Sequence, residues 1–181
     1  MNHLPIWYLS NVAPALCDEI IADCSTRDFN KASMGETSSQ KNERYRNTAI
    51  QFLPVSHWME PHLKNVASIG NQECKWDYLL SENEQIQFAR YTEKQLYNWH
   101  TDTFVLGLKP LDRKITVVCL LNDPSEFEGG EFKVRLYQEY VAPLQKCSVI
   151  AFPSMLEHCV TPVISGVRYS ATMWINGPKF R

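Results

Sequence analysis

Two residues of the metal-ligand type lie two positions apart in the segment NWHTDT, where His100 precedes Asp102. The segment LYNWHTDTF predicts a β-strand, on which side chains two positions apart project from the same face. An imidazole and a carboxylate placed side by side can bind a first-row transition metal. His158, which follows the apolar strand CSVIAF and the turn FPSMLE, is a third possible ligand. Two histidines and one carboxylate on one side of a metal leave the opposite side open for other ligands.

The strand GVRYSATMWI carries a charged residue on a face that should point inward, because Arg168, Ser170 and Trp174 share one side by strict alternation. Buried arginines are rare unless they are paired, since burying an unpaired guanidinium costs several kcal/mol. The strand therefore implies either a bound carboxylate or an internal Asp or Glu partner for Arg168. A co-substrate with a distal carboxylate would supply that anion, with Ser170 adding a hydroxyl. An open metal beside such a clamp predicts a non-haem Fe(II) oxygenase.

The elements that position these residues are mostly strands. After about residue 76 the chain has short segments rich in β-branched and aromatic residues, separated by turn sequences. These segments are EQIQFARY, LYNWHTDTF, RKITVVCLLN, GEFKVRL, KCSVIAF and VRYSATMWI. The pattern predicts a mainly β protein with flanking helices, an α+β arrangement whose jelly-roll core (a double-stranded β-helix) covers about 76–177. With no repeat or linker, we expect one domain over 1–181.

The N-terminal part, about 1–75, is predicted to contain two helices and a loop. A helix is expected over 11–25, with Asn11 as its cap and with Leu16, Ile20 and Cys24 at helical spacing. Another is expected over 61–70, with an apolar stripe formed by Leu63, Val66, Ala67 and Ile69. The polar segment 31–47 between them has almost no aliphatic residues. It is expected to be a surface loop, either a flap over a binding site or disordered.

Composition narrows the class of protein. The formal net charge is −2 without long runs of one sign, which gives no reason to expect nucleic acid or a membrane as a partner. The start MNHLPIWYLS does not resemble an export signal and no apolar run approaches a bilayer span, so we expect a cytoplasmic protein with its six cysteines reduced. The sequence does not indicate an oligomeric state.

The order of these residues resembles a known family. The motif Y-x5-Y-x2-H-x-D is followed by EGGEF and then by H-x3-PV-x2-G-x-R-x-S-x3-W. In this order the motifs resemble the prolyl 4-hydroxylase-like Fe(II)/2-oxoglutarate dioxygenases, and among them the PKHD-type hydroxylases. The resemblance covers roughly 65–177. It implies Fe(II) as the metal, 2-oxoglutarate and O₂ as co-substrates, ascorbate as the reductant, and succinate and CO₂ as products.

The resemblance also implies roles for single residues. It makes His100, Asp102 and His158 the iron ligands and Arg168 the partner of the distal carboxylate of 2-oxoglutarate. Further co-substrate contacts are expected from Tyr91 and Ser170, and from Thr116 in place of a tyrosine that some relatives have on the central strand. The expected substrate contacts are Tyr97, Trp174 and Arg113. Lys94 stands where the family usually has a glycine in the turn between the two tyrosines, so the turn is expected to differ.

The substrate implied by the resemblance is a proline in a protein or peptide. Tyr97 and Trp174 could stack on its pyrrolidine ring, although both residues also fit a purely structural role as core aromatics. Two alternatives stay open. One is a dioxygenase that acts on another protein side chain or on a small molecule. The other is a jelly-roll module that binds a metal or a peptide without turnover, including a cupin-like protein holding zinc or manganese.

Overall fold

The computed structural model describes residues 5–27, 29–31, 45–103 and 110–180. It contains helices α1 (Pro14–Ser25) and α2 (Glu60–Glu73) and a short 3₁₀ turn at Pro124–Glu126. Its strands are β1 (Tyr8–Asn11), β2 (Asn30–Lys31), β3 (Ala49–Phe52), β4 (Gln87–Tyr91), β5 (Tyr97–His100), β6 (Leu111–Leu120), β7 (Phe127–Gly129), β8 (Phe132–Arg135), β9 (Glu139–Val141), β10 (Ser148–Pro153), β11 (Glu157–Val160), β12 (Val163–Gly166) and β13 (Arg168–Pro178). Most of the predicted loop 31–47 lies outside the described residues.

The strands form two main sheets. The larger has seven strands in the order β1-β10-β6-β13-β4-β3-β2, and the smaller has four in the order β5-β11-β8-β9. Strands β12 and β7 form a separate pair. Every pairing is antiparallel. This arrangement, together with the comparisons given below, confirms the predicted mainly β fold with a jelly-roll core.

Alternation along the long strands β6 and β13 gives the large sheet two different faces. Ile115, Val117 and Cys119 of β6 belong to a hydrophobic cluster with residues of both helices, together with Ala171 and Met173 of β13. The residues between them face the smaller sheet, where a second cluster includes Val118, Leu120, Phe132 and Val160. Of the polar residues predicted to carry chemistry, Thr116, Arg168 and Ser170 lie on this inner face, because they alternate with the residues that pack against the helices.

Helix α1 buries Ile20 and Cys24 as predicted, but it differs from its prediction at the cap and at Leu16. Its N-cap is Ala13, which makes no side-chain capping bond, and Pro14 begins the helix. Asn11 is not the cap, because it ends β1 as the register partner of Ser148, whose hydroxyl it accepts at 3.3 Å. Cys17, together with Ile20 and Cys24, is buried, whereas Leu16 is only partly buried.

Helix α2 extends the predicted segment by a residue at the start and three at the end. Its buried side contains Leu63, Val66 and Ala67, as expected, together with Gly70. A side chain at Gly70 would collide with Tyr8 of β1, since an added Cβ would lie 2.8 Å from the Tyr8 Cβ. The small residue therefore lets α2 pack closely against the edge strand of the large sheet.

The N-terminal third contributes more to the sheet than its helical sequence pattern indicates. Strands β1, β2 and β3 belong to the large sheet, with β1 at one edge and β2 at the other. These strands have only two to four residues, which is too short for a periodic pattern to identify. No helix in the described part of the chain has the length and apolar sequence needed to cross a bilayer.

Candidate active site

The segment that carries the first two predicted ligands is only partly a strand. Strand β5 ends at His100, and Asp102 lies in the bend that follows. Strand alternation therefore does not place Asp102, contrary to the expectation. Its backbone N–H donates to the Ser154 carbonyl at 2.9 Å, and its carboxylate Oδ2 accepts from the Thr116 hydroxyl at 2.8 Å. These two bonds bring the carboxylate back beside the imidazole of His100.

The third predicted ligand lies directly opposite the first. His158 is on β11, a strand that the sequence pattern missed, and its Cα is the antiparallel register partner of His100 on β5. The three side chains form the one group of possible metal ligands found in the described residues, with ligand atoms that all lie within 4.8 Å of one another. The Asp102 carboxylate oxygens lie 3.7 Å from His100 Nε2 and 3.3 Å from His158 Nε2.

Backbone carbonyls orient both imidazoles. His100 Nδ1 lies 2.7 Å from the Asn98 carbonyl, and His158 Nδ1 lies 3.0 Å from the Leu156 carbonyl. A carbonyl only accepts hydrogen bonds, so in each ring Nδ1 carries a proton and Nε2 faces the other possible ligands. This is the usual arrangement for a metal-binding histidine.

Burial sets the charge state of the site. Burial and the neighbouring His158 lower the pKa of His100 to about 3, so its ring is neutral at pH 7. Burial by itself raises the pKa of Asp102, but attraction to His158 and hydrogen bonding with it outweigh that effect and leave the pKa below its ordinary value. Neutral imidazole nitrogen and ionised carboxylate oxygen are the forms that bind divalent first-row metals. The donor set thus fits Fe(II).

Arg168 lines the same cavity as these three residues. It is only 1% exposed, and its Nη1 donates to the Ser170 hydroxyl at 3.1 Å. None of the described residues accepts a hydrogen bond from the buried Nη2. Burial lowers the pKa of the guanidinium, and Tyr91 offsets this effect only in part. Of the two partners considered for Arg168, a bound carboxylate therefore fits better than an internal acidic residue.

The sequence model of the 2OG-Fe(II) oxygenase superfamily matches residues 86–176, which is half of the chain. The chain belongs to this superfamily. The resemblance predicted from the motifs is therefore confirmed. The three possible metal ligands and Arg168 all fall inside the matched region.

The matches to curated relatives cover less than half of each relative's length. A PKHD-type hydroxylase of Xylella fastidiosa (strain M23) is 34% identical over 98 residues, covering 49% of this chain and 43% of the relative. The PKHD-type hydroxylase YbiX of Escherichia coli is 32% identical over 92 residues, covering 49% and 41%. The chain thus spans less than half the length of these relatives.

Solved structures support the fold. A prolyl-4-hydroxylase of Pseudomonas putida superposes with a TM-score of 0.73 at 21% identity, covering 96% of this chain and 94% of that one. A prolyl hydroxylase of Trichoplax adhaerens, in complex with a hypoxia inducible factor peptide fragment, gives 0.72 at 16% identity, covering 94% and 83%. The viral collagen prolyl hydroxylase of Paramecium Bursaria Chlorella virus-1 gives 0.69 at 19% identity, covering 96% and 97%.

The turn in which this member of the superfamily has Lys94 instead of glycine keeps a left-handed residue. Lys94 has φ +65°, and its N–H donates to the Val163 carbonyl at 2.8 Å. The side chain of Gln95 closes the turn by accepting from the Thr92 N–H at 2.8 Å. Tyr91 is consequently held in register opposite Arg168, with the guanidinium carbon 5.3 Å from its ring centroid.

Both predicted aromatic residues line the cavity. Tyr97 stacks on the imidazole of His100, with ring centroids 3.5 Å apart and planes inclined by 14°. Burial raises the pKa of the Tyr97 phenol well above its ordinary value, so it stays protonated. Trp174 lies on the inner face of β13 as the register partner of Thr116. The guanidinium of Arg113 covers its ring at 3.9 Å from the centroid.

Two predicted residues are placed beside the cavity instead of lining it. Arg113 Nε donates to Glu84 Oε1 at 2.7 Å, and Nη1 lies 3.9 Å from an Asp102 oxygen. Thr116 donates its hydroxyl proton to Asp102, so that proton is not available to a co-substrate. Both residues therefore contact the metal-ligand group from its protein side.

Sequence reasoning missed three residues around the site. Arg46 is buried, and its guanidinium carbon lies 4.3 Å from the centroid of the Tyr97 ring. It belongs to the predicted loop 31–47, for which no role of a single residue was predicted. Glu84 pairs with Arg113, and Ser154 binds the Asp102 backbone. Ser154 belongs to the FPS turn before His158, so its position in the motif was the one available indication of a role.

Proposed function

We propose that this chain is an Fe(II)- and 2-oxoglutarate-dependent dioxygenase that hydroxylates a protein or peptide, with proline as the favoured residue. The observation that carries the proposal is the buried Arg168, whose Nη2 has no protein partner among the described residues, in the cavity that also contains the His-Asp-His group. A carboxylate of 2-oxoglutarate would neutralise this cation. A module that only binds metal has no use for an uncompensated buried guanidinium.

Each part of the chain has a defined task in this reaction. His100, Asp102 and His158 would hold the iron, and Arg168 with Ser170 would bind the distal carboxylate of 2-oxoglutarate through charge-assisted hydrogen bonds. When bound, iron and 2-oxoglutarate together activate O₂ for hydroxylation, with succinate and CO₂ as products. The protein positions the groups and excludes water, since the ligands and the clamp are all buried.

The substrate class is supported by the relatives and by the cavity wall. The relatives named above are called PKHD-type or prolyl hydroxylases. Tyr97 and Trp174 give the cavity aromatic surface against which a pyrrolidine ring can pack. We further propose that residues 1–181 act as one domain, because strands of the N-terminal third complete the large sheet. Six buried free thiols suit the reducing cytoplasm.

The test is succinate formation from 2-oxoglutarate by the purified chain with Fe(II) and ascorbate under air, with and without a proline-rich peptide. Succinate that increases with the peptide supports peptidyl hydroxylation. Turnover that ignores the peptide but rises with a small molecule moves the proposal to the alternative substrate class. Absence of turnover by protein with bound metal would favour the non-catalytic module.

Variants separate the active site from the fold. His100→Ala or His158→Ala is expected to abolish iron-dependent turnover while the protein stays folded, as checked by circular dichroism. His62→Ala is the matched control, because His62 is exposed on α2 and outside the site. Unfolding of both ligand variants would point to a structural metal instead, and loss of activity in the control would show that the loss is not specific to the site.

A further inference from the structure

Two buried hydroxyl groups lie behind the metal ligand Asp102. Thr116 on β6 and Ser154, directly after β10, are both 0% exposed. The Thr116 hydroxyl lies 2.8 Å from Asp102 Oδ2 and 2.9 Å from the Ser154 hydroxyl. The motif resemblance gave Thr116 a co-substrate contact, but the structure directs its hydroxyl toward the carboxylate.

The chemistry of the groups fixes the direction of these hydrogen bonds. An ionised carboxylate only accepts, so Thr116 must donate its single proton to Asp102. Thr116 can then only accept from Ser154, whose hydroxyl therefore donates to it. The result is a one-way chain from Ser154 through Thr116 to Asp102, in which each hydrogen bond polarises and strengthens the next.

Ser154 holds Asp102 at a second point. Its carbonyl accepts the N–H of Asp102 at 2.9 Å and that of Thr103 at 3.3 Å. Its own N–H donates to the Lys114 carbonyl at 2.9 Å, which ties the turn to β6. Because β5 has already ended at His100, strand pairing does not fix Asp102. The contacts from Ser154 and Thr116 thus hold both its backbone and its side chain.

We propose that Thr116 and Ser154 are positioning residues for Asp102, which hold its carboxylate in the orientation that the metal requires. The inference rests on the proposed function, since it assumes that His100, Asp102 and His158 bind the metal. Groups that hydrogen-bond a metal ligand fix its orientation, and their loss weakens metal binding although they never touch the metal. We therefore expect substitutions of Thr116 or Ser154 to weaken metal binding even where the protein still folds.

The experiment measures the affinity of the metal-free protein for Mn(II), which needs no O₂ exclusion, by calorimetry. Thr116→Val keeps the shape of the side chain but removes the proton donor, and a roughly 10- to 100-fold loss of affinity is expected. Thr116→Ser restores the hydroxyl and should come within about threefold of the wild type. Ser154→Ala, which keeps the backbone contacts, should give a smaller loss.

Thr48→Val is the matched control. Thr48 is also 0% exposed, but its hydroxyl donates to the Leu96 carbonyl and does not contact Asp102. Removing a buried hydroxyl there should lower the melting temperature by a similar amount without changing Mn(II) affinity. The difference between the two threonines separates positioning from general stability. The affinity for 2-oxoglutarate at saturating Mn(II) should be unchanged in all four variants.

Two outcomes would overturn the inference. In one, Thr116→Val binds Mn(II) as tightly as the wild type, while Asp102→Ala does not bind it. In the other, Thr48→Val loses as much affinity as Thr116→Val. If Thr116→Val does not fold, the Mn(II) affinities of Thr116→Ser and Ser154→Ala are compared instead. Normal Mn(II) affinity in Ser154→Ala would then refute the role of the hydrogen bonds from Ser154 through Thr116 to Asp102. A wild-type protein that binds no metal would instead overturn the proposed function, and this inference with it.

Discussion

Replacing Arg168 with methionine should have opposite effects on the stability of the protein and on its binding of 2-oxoglutarate. Methionine keeps an unbranched side chain of similar length but removes the charge. In the wild type that charge is 1% exposed, and Nη2 has no partner among the described residues. Without 2-oxoglutarate, Arg168→Met should therefore raise the free energy of unfolding, by about 1–4 kcal/mol if it behaves like other buried charges replaced by apolar residues.

The effect of ligand can be calculated in the same terms. With 2-oxoglutarate at 100 times its dissociation constant, the wild type gains about 2.7 kcal/mol of stability. Loss of a charge-assisted contact worth about 1.5–3 kcal/mol weakens binding roughly 10- to 150-fold. At the same ligand concentration, the gain for Arg168→Met then falls to about 0.3–1.4 kcal/mol.

Urea unfolding of both proteins with Mn(II), in the presence and absence of 2-oxoglutarate, measures all four values. Arg27→Met is the control, because Arg27 is exposed at the end of α1, and its replacement should change stability by less than about 0.5 kcal/mol. If Arg168→Met is less stable than the wild type without ligand and still gains the full stabilisation with it, Arg168 is not the carboxylate clamp.

Three further predictions concern the turns and the helix side of the fold. Lys94→Gly should stabilise the protein by about 0.5–1 kcal/mol, measured by urea unfolding, because it removes a left-handed non-glycine residue at φ +65°. Gly130→Ala should weaken 2-oxoglutarate binding roughly three- to tenfold, because the added Cβ would lie 3.0 Å from Arg168 Cδ. Gly129→Ala should lower stability alone, because its added Cβ would collide with the Pro162 carbonyl. Calorimetry on both variants checks the difference in 2-oxoglutarate binding. Burial lowers the pKa of His57, so the unfolded chain binds a proton more readily than the folded protein does. The free energy of unfolding should therefore fall as the pH drops below about 6.5. His57→Asn should reduce this dependence on pH, as measured by unfolding from about pH 7.5 to about pH 5.

The parts of the site that could be predicted from the sequence are those written as local patterns. Alternation along β13 placed Arg168 and Ser170 on one inner face, and the motif order picked out His100 and His158, which the structure brings together as possible metal ligands. Long strands such as β6 were recognised because their apolar runs exceed the length of a turn. These features depend on residues that are neighbours in the chain.

The features that were missed depend on contacts between distant segments. Asp102 was expected on a strand, but a turn from elsewhere in the chain positions it through Ser154. The roles expected of Thr116 at the co-substrate and of Arg113 at the substrate stay predictions. The hydrogen bond from Thr116 to Asp102 could not be foreseen, because the register of β6 against that turn cannot be read from one strand. The partner of Arg113, Glu84, comes from the segment before β4. Short strands such as β11 have too few residues to show periodicity.

The position of β5 in the smaller sheet has a consequence for how the strands find their partners. β5 is an edge strand of this sheet. β11 pairs with it on one side, and on the other side the described residues form one isolated bridge, between Arg46 and Tyr97. A shift of one residue along β11 would turn His100 away from His158. A metal ion bound to both histidines would therefore stabilise the observed register of β5 against β11. Amide hydrogens of β5 should accordingly exchange more slowly when the metal is bound. A residue inserted between Tyr97 and His100 should leave the protein folded, because β5 is at the edge of the sheet, but it should abolish metal binding.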